Sequence, residues 1–465
     1  MTHRTDDLAA KDKKYLWHPF TQMKDWLDGE PLIIERGEGA KLFDTEGREY
    51  IDGVASLWCN IHGHRRREID DAIREQLGRI AHSTMLGLSG PPAIELAERL
   101  AGIAPLGLTK VFYSDSGSEA VEIALKIAFQ ARLHRDGGRA KRTKFLALDL
   151  GYHGDTLGSV SVGGIPLFHG VYKPLLFDVL RAPAPYCYRC SLGLEPRLCK
   201  MACLDRMEDV LAARADEVIA VVMEPLVQGA GGMIVHPEGY LSGVRALCDK
   251  YGVLLICDEV AVGFGRTGRM FACEHEGVRP DIMAVAKGLT GGYLPLAATL
   301  ATEGIYAVFL GEQTEHKTFF HGHTYTGNAL CCAAALATLG IFERERTVER
   351  IQPRITQLAR WLKEFRALDH VGDARQRGLM AGIELVQDRA TKAEYDPAER
   401  MGARVTKAAR ERGLITRPLG DVIVVMPPLC ISGDELDRMM TILLESVREA
   451  TEDRNSPRMN ADGHG

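Results

Sequence analysis

The sequence predicts an α/β protein with a large, mostly parallel sheet and a second, smaller α+β domain. In the middle of the chain, short apolar runs alternate with runs of helical periodicity. Such alternation is typical of parallel strands whose crossover helices cover both faces of the sheet. The chain has 465 residues, and 46% of them are apolar types. The apolar fraction is enough for a large core, and the chain is too long for one ordinary domain.

The elements predicted for the large domain follow each other in chain order. They are strands at 110–113, 144–148, 218–223 and 253–257, with helices at 118–132 and 240–250. In open α/β sheets, ligands bind beyond the carboxyl ends of the strands. We therefore expect the chemistry of this protein to lie just after each strand.

The pattern changes from about residue 339, which predicts the smaller domain. A helical run leads into short strands and a last helix, at 348–368, 379–385, 422–425 and from Gly433. The N-terminal stretch has strand-like pieces at 31–35 and 40–44 and is expected to join this domain. The predicted division is 1–61 and 339–450 for the small domain, 62–338 for the large domain, and 451–465 for a flexible polar tail.

Charge and composition exclude several classes of protein. The formal net charge of −6 argues against a partner nucleic acid, which needs a basic face. The charged N-terminus has no apolar segment of a secretory signal, and no run of about 18 apolar residues predicts a membrane helix. The 11 cysteines are more typical of reduced thiols in a cytoplasmic protein than of a disulfide scaffold.

Ser114-Asp-Ser-Gly-Ser118 follows the first predicted strand of the large domain and opens a helix. Free N–H groups, hydroxyls and the positive end of the helix dipole could bind a phosphate there. The alternative is an ordinary helix cap, because serine and aspartate are favoured at that position anyway.

Three further strand ends carry candidate chemistry. Tyr152 lies in the loop Gly151-Tyr-His-Gly-Asp155 and could stack on a flat cofactor or simply pack. Asp258 ends a buried strand, where a carboxylate is costly unless it meets a cation. Lys287 ends an apolar run, so its amine is expected to be desolvated and reactive, although most lysines are solvated surface charges. Together these loops can converge at one edge of the sheet.

With these residues in place, the sequence resembles the class III aminotransferases of pyridoxal-5′-phosphate (PLP) fold type I over nearly the whole chain. Within that class it resembles the 8-amino-7-oxononanoate (KAPA) aminotransferases, which make 7,8-diaminononanoate in biotin biosynthesis. The segments that carry the match are Trp17-His-Pro-Phe-Thr-Gln-Met23, Asn60-Ile-His-Gly63, Tyr113-Ser-Asp-Ser-Gly-Ser118, Gly151-Tyr-His-Gly-Asp-Thr156, Glu224-Pro-Leu-Val-Gln-Gly-Ala-Gly-Gly-Met233, Asp258-Glu-Val-Ala-Val-Gly-Phe-Gly-Arg-Thr-Gly268, Ala286-Lys-Gly-Leu-Thr-Gly-Gly292 and Arg417-Pro-Leu-Gly420.

The resemblance implies roles for individual residues. Lys287 would carry PLP as a Schiff base and shuttle a proton, and Asp258 would pair with the ring nitrogen. The other cofactor-binding residues implied are Gly117, Ser118, Tyr152, His323 and Thr324. The substrate-binding residues implied are Phe20, Trp58, Tyr152, Gly322 and Arg417. Thr324 would reach the phosphate of a neighbouring subunit, so the resemblance also implies a homodimer with shared active sites.

The amino donor is predicted from departures within this family. Relatives that use S-adenosylmethionine usually have a Trp-Trp pair at Leu57-Trp58, a tyrosine at Phe20 and another tyrosine near Val424. A Bacillus-like subgroup that uses L-lysine resembles this chain more closely, so L-lysine is favoured over S-adenosylmethionine. The alternative within the class is another ω-aminotransferase, which would act on a diamine or an ω-amino acid.

Two other motifs suggest different chemistry. Gly263-Phe-Gly-Arg-Thr-Gly268 fits the G-x-G-x-x-G pattern of an NAD-dependent oxidoreductase. However, its glycines start several residues after the strand, and no clear strand with an acid follows about 20 residues later. A tight turn is the better interpretation, and the oxidoreductase remains a remote alternative.

Four cysteines, Cys187, Cys190, Cys199 and Cys203, lie in one short segment. Tetrahedral zinc is chemically possible there. The alternative is a surface loop with free thiols, because the spacing is not that of a standard zinc finger and the family does not need a metal. We therefore assign no metal ligand from the sequence.

Overall fold

The computed structural model of the chain describes residues 2–139 and 141–452. Its strands are β1 (Ile34–Glu38), β2 (Lys41–Asp44), β3 (Glu49–Asp52), β4 (Leu108–Ser114), β5 (Lys144–Leu148), β6 (Leu180–Ala182), β7 (Val218–Met223), β8 (Val227–Gln228), β9 (Ile234–Val235), β10 (Leu254–Asp258), β11 (Ile282–Val285), β12 (Ala297–Thr302), β13 (Val371–Arg377), β14 (Met380–Leu385), β15 (Leu414–Ile415), β16 (Pro418–Leu419) and β17 (Val422–Val425).

The α-helices are α1 (Thr2–Tyr15), α2 (Met23–Asp28), α3 (Ala55–Trp58), α4 (Arg67–Leu77), α5 (Pro91–Ile103), α6 (Gly117–Arg135), α7 (Leu157–Val162), α8 (Pro166–His169), α9 (Ala202–Arg214), α10 (Tyr240–Tyr251), α11 (Glu303–Tyr306), α12 (Ala329–Arg344), α13 (Thr347–Arg350), α14 (Gln352–Arg366), α15 (Met401–Glu411) and α16 (Gly433–Glu452). Short 3₁₀ helices lie at Gly170–Leu175, Ala272–Glu276, Lys287–Thr290, Ala307–Phe309, Gln313–Glu315 and Pro397–Glu399.

A seven-stranded sheet with the order β4-β12-β11-β10-β7-β5-β6 forms the centre of the molecule. The strands from β11 to β6 are parallel, and β12 is antiparallel to both of its neighbours. This arrangement confirms the predicted α/β class with a mostly parallel sheet. The strands read as continuous apolar runs because both faces of the sheet are covered.

Alternate residues of these strands enter two separate cores. Phe145 and Ile256 pack with the apolar face of α6, whereas Leu146 and Leu255 face the larger core on the other side. At about 25 cal/mol per Å² of buried apolar surface, this two-sided burial is the main stabilising contribution to the sheet. The sheet therefore presents its carboxyl edge as a rigid support for the loops that follow β5, β7 and β10.

The N-terminal strands share a sheet with a C-terminal segment. β1, β2 and β3 form a four-stranded sheet with β15, where Ile51 is paired with Leu414. A further sheet has the order β13-β14-β17-β16. The predicted division into domains stays a prediction, and α12 continues without interruption across residues 338 and 339.

The sequence predicted several elements to within a residue or two, and it missed others. The strands at 144–148, 218–223 and 422–425 have the predicted bounds, whereas β12 was not predicted. The helical run at 348–368 is divided into α13 and α14 at Ile351, two residues before Pro353. Of the predicted tail, Thr451 and Glu452 end α16, and the rest lies outside the described residues.

Within residues 2–139 and 141–452, none of the helices combines the length and the apolar character that are needed to cross a bilayer.

Candidate active site

A cavity of about 550 Å³ lies at the carboxyl edge of the central sheet. Its lining includes eight residues predicted for the site: Phe20, Trp58, Gly117, Ser118, Tyr152, Asp258, Lys287 and Arg417. The loops after four strands thus converge, as expected from the parallel topology. Ligand-binding pockets of proteins are commonly of this size.

Lys287 lies two residues after the end of β11. Its φ is +46°, in the left-handed region that few residues other than glycine adopt. The ammonium nitrogen lies 4.8 Å from the centre of the Trp58 ring. Burial lowers the pKa of Lys287, although the carboxylates of Asp258 and Glu224 oppose the shift. A larger fraction of neutral amine is therefore available at a given pH.

Asp258 ends β10 and is buried. Its Oδ2 lies 2.8 Å from Nδ1 of His153, and its Oδ1 accepts a hydrogen bond from the backbone N–H of Val260 (3.0 Å). Nε2 of His153 is buried and has no hydrogen-bond partner among the described residues. The His153 side chain thus fixes one carboxylate oxygen of Asp258 in the cavity wall.

Glu224 follows β7 directly and is a site residue that the sequence interpretation left without a role. It accepts hydrogen bonds from the backbone N–H groups of Tyr152 (3.0 Å) and Gly229 (2.8 Å). Burial raises its pKa to about 7, against the opposing effect of His153. The sequence did contain a signal for this residue, because Glu224, like Asp258, is an acid at the end of a buried strand.

The N-terminus of α6 faces the cavity with a bare backbone. Ser116 caps the helix, and the first helical hydrogen bond runs from Ala120 N to Ser116 O (3.0 Å). The amides of Gly117 and Ser118 precede that bond and are available to an anion. A Cβ at Gly117 would lie 2.5 Å from Cγ1 of Val260, so only glycine fits. The hydroxyl of Ser118 accepts a hydrogen bond from Thr156 N (2.9 Å).

Aromatic side chains form one wall of the cavity. Tyr152 donates its hydroxyl hydrogen to Oδ2 of Asp155 (2.8 Å). Phe168 contacts the edges of both Tyr152 and Phe20, with ring centres 6.4 Å and 5.4 Å apart. Leu57 extends this wall. Val424, by contrast, is buried in β17 and is not among the described residues that line the cavity.

Arg417 brings a cation into the cavity without an anionic partner. Its side chain is half-buried, and burial lowers its pKa. Within residues 2–139 and 141–452, no carboxylate oxygen lies within 4.0 Å of its guanidinium nitrogens. A buried charge is costly unless it is paired, so the arrangement suits a ligand that carries a carboxylate.

Three predicted site residues do not line this cavity within the chain. Gly322 and Thr324 are exposed. Nδ1 of His323 lies 3.3 Å from Oδ2 of Asp115, and Thr324 O accepts a hydrogen bond from His82 (2.8 Å). Their predicted roles would require a second subunit and remain predictions.

The side chains of the turn Gly263–Gly268 are packed into the protein. Phe264 packs against Phe271 in the core, with ring centres 5.5 Å apart. Arg266 is buried and donates a hydrogen bond to Asn60 O (2.6 Å). Gly265 and Gly268 adopt positive φ values, as a tight turn requires.

Comparison with known proteins identifies the family. Residues 23–447 match the family Aminotransferase class-III. An adenosylmethionine-8-amino-7-oxononanoate aminotransferase of Nitratidesulfovibrio vulgaris is 59% identical over 97% of this chain and 83% of its own length. The protein of the same name from Anoxybacillus flavithermus is 57% identical over 97% of this chain and 98% of its own. The crystal structure of the Methanocaldococcus jannaschii protein of that name has a TM-score of 0.91 at 49% identity, covering 96% of this chain and 99% of that one.

The chain belongs to the class-III aminotransferases, and it is a PLP-dependent transaminase. The cavity fits this cofactor. Val260 leaves no room for a side chain at residue 117, so the backbone of Gly117 is bare. A bare backbone at the N-terminus of α6 suits a phosphate. The imidazole of His153 contacts Asp258 through Nδ1, and its buried Nε2 has no hydrogen-bond partner in the part of the chain that the structure describes.

Proposed function

We propose that the protein transfers an amino group to 8-amino-7-oxononanoate and forms 7,8-diaminononanoate for biotin biosynthesis. The names of the relatives at 57–59% identity support this substrate. The structural observation that carries the proposal is the guanidinium of Arg417 in the cavity, which has no carboxylate partner among the described residues, because the substrate ends in a carboxylate. Its methylene chain suits the apolar wall of Leu57, Phe20 and Phe168.

The roles of the cofactor site follow from the same geometry. PLP, when bound, supplies an electrophilic carbonyl for amines and a ring that withdraws electrons. We infer that Lys287 holds the cofactor and, as a neutral amine at Nζ, takes and returns the substrate proton. Asp258 keeps a negative charge for the ring nitrogen, and His153 orients that carboxylate. The amides of Gly117 and Ser118 hold the phosphate, and Tyr152 covers the ring.

Replacing Arg417 with alanine is expected to raise the KM for 8-amino-7-oxononanoate about thirtyfold or more, because removal of one partner of a desolvated charge pair costs about 2–5 kcal/mol. The measurement is steady-state kinetics with the substrate and with its methyl ester. The ester should bind to the wild-type enzyme and to Arg417→Ala with nearly equal KM. Arg400→Ala, on the surface beside Asp25, is the control. An equal loss for acid and ester would exclude carboxylate recognition by Arg417.

We further propose that L-lysine is the amino donor. The relatives are named for adenosylmethionine, but Leu57 and Phe20 line the cavity and offer no hydrogen bond to a bulky adenosyl group. The donor proposal depends on these two positions, since Val424 lies in the core.

The double variant Leu57→Trp/Phe20→Tyr tests the donor proposal. Wild-type kcat/KM is expected to be higher for L-lysine, and the variant should gain about tenfold on S-adenosylmethionine if its new polar contacts add about 1.4 kcal/mol. Phe129→Tyr, at an exposed position outside the cavity, should change neither value. A wild-type enzyme that uses only S-adenosylmethionine would contradict the proposal.

We also propose a homodimer in which Thr324 reaches the phosphate site of the partner subunit. Thr324 is exposed, and so are the apolar side chains of Phe320 and Tyr325 near it in sequence. This exposure supports a surface that a partner covers. Thr324→Ala should weaken cofactor binding about tenfold, the value of one hydrogen bond to a charged group. Exposed Thr391→Ala is the control. Analytical ultracentrifugation measures the assembly, and a monomer that retains full cofactor affinity would contradict the dimer.

A further inference from the structure

The segment between β6 and α9, residues 183–201, contains three thiols and no helix or strand, and a fourth thiol, Cys203, lies in the first turn of α9. Loops of this length without secondary structure are uncommon inside a compact fold unless they have a function or a device that fixes them. Leu194 and Leu198 of this segment are exposed, so its own side chains do not form a core. Apolar packing of these two leucines therefore does not fix the second half of the loop.

The four cysteines line one small cavity. Cys187, Cys190, Cys199 and Cys203 all line a space of about 20 Å³, which has room for one sphere the size of a water molecule. All four are half-buried and none forms a disulfide. Burial and the neighbouring thiols of Cys199 and Cys190 raise the pKa of Cys187. Burial also raises the pKa of Cys203 to about 11.

The backbone forms a turn at each of the two cysteine pairs. Gly193 has a φ of +68° and donates its N–H to Cys190 O (3.0 Å), which closes a tight turn after Cys187-x-x-Cys190. Lys200 and Met201 also adopt positive φ values and place Cys199 beside Cys203. Cys203 lies in the first turn of α9.

We propose that Cys187, Cys190, Cys199 and Cys203 bind one Zn²⁺ as a tetrahedral thiolate site that fixes this loop. Both pair spacings fall in the C-x₂₋₄-C range of structural zinc sites. Each thiol loses its proton as its sulfur bonds the ion, so binding releases four protons and leaves a centre of charge −2. Arg197 and Lys200 lie in the same segment and bring positive charge near it in sequence, whereas Arg189 is paired with Glu384.

The sulfurs must approach one another when they bind the ion. Among the described residues, three ligand atoms within 4.8 Å of one another occur at Asp115, Glu119 and His323 and not at this loop. Zinc–sulfur bonds of about 2.3 Å require the four sulfur atoms to lie closer together. Cys187, Cys190 and Cys199 lie outside helices and strands, so their segment can move toward Cys203 in α9.

The loop is hydrogen-bonded to the sheet that contains β14, so an ion that fixes the loop would also stabilise its contacts with this sheet. Tyr186 and Arg189 both bond the carboxylate of Glu384. Glu384 also bonds Arg375 (2.6 Å), whose guanidinium donates to Gly232 O (2.6 Å) in the segment after Glu224. A fixed loop therefore supports this buried ion cluster, independently of the substrate proposed above.

Metal analysis of the folded full-length enzyme, purified without chelator under reducing conditions, tests the proposal. We expect one zinc ion per chain, and loss of that zinc in Cys187→Ser and Cys199→Ser. Cys430→Ser, another half-buried cysteine outside the loop, should keep it. A chelator should make four additional thiols of the wild-type enzyme reactive, and Co²⁺ should then give the charge-transfer absorption of tetrahedral thiolate ligation.

The wild-type measurements decide the question even if a variant fails to fold. Folded, reduced enzyme without zinc and without a cobalt–thiolate spectrum would overturn the proposal. Zinc retained at one ion per chain in both loop variants would also overturn it. So would mass spectrometry of unreduced peptides that finds the four cysteines in two disulfides.

Discussion

Replacing Lys287 with alanine is expected to lower kcat at least about a thousandfold, because the variant loses both the amine that holds the cofactor and the proton carrier. Lys287→Arg should be equally impaired, since a guanidinium does not deprotonate in proteins. This second variant separates the need for a neutral amine from the need for a positive charge. The measurement is single-turnover kinetics of the cofactor-loaded enzyme.

A covalent readout accompanies the Lys287 kinetics. Borohydride reduction followed by peptide mass spectrometry should find the cofactor attached to the Lys287 peptide in the wild-type enzyme and not in Lys287→Ala. Lys250→Ala removes a lysine that forms a surface ion pair with Glu208 and should behave as wild type. Full turnover by Lys287→Ala would exclude the assigned role.

Asp258→Asn should lower kcat by about a hundredfold to a thousandfold, comparable to the loss of one preorganised electrostatic group in an active site. The amide keeps the size of the side chain but removes the negative charge from the cavity wall. Because His153 can still bond the remaining oxygen, the change should act on charge more than on structure. kcat and the cofactor dissociation constant are measured together, and kcat should fall more than affinity.

The neighbouring acid provides the matched control for Asp258. Glu259 is fully buried and accepts hydrogen bonds from Ala272 N (2.9 Å) and Cys273 N (2.8 Å), and it does not line the cavity. Glu259→Gln should lower the melting temperature while folded enzyme keeps its kcat. If both variants lost kcat equally, the role of Asp258 as the carboxylate of the cofactor site would not hold.

The sequence predicted the central sheet best where strands are buried on both faces. The runs at 144–148 and 218–223 are continuous and apolar, and their bounds agree with β5 and β7. β12 was missed because Ala297–Thr302 consists mainly of small residues, which give little signal of strand over helix. Its antiparallel direction follows from tertiary pairing with β4 and β11, which local sequence does not encode.

The convergence of site residues was predictable where each follows a parallel strand. Asp258, Tyr152 and Lys287 all meet at one edge of the sheet for that reason. The contact between His153 and Asp258 was not predicted, because β5 and β10 are separated by β7 in the sheet. Gly322 and Thr324 are exposed outside the cavity, and the proposed role of Thr324 involves a second subunit, which local sequence patterns do not encode.

The most direct test of amino transfer to 8-amino-7-oxononanoate uses two half-reactions. The enzyme is loaded with amino groups from L-lysine, or separately from S-adenosylmethionine, and freed of donor before 8-amino-7-oxononanoate is added. Mass spectrometry should find one 7,8-diaminononanoate per active site after loading with L-lysine, and return of the original cofactor absorbance. Enzyme that is loaded by either donor but leaves 8-amino-7-oxononanoate unchanged would contradict the proposed function.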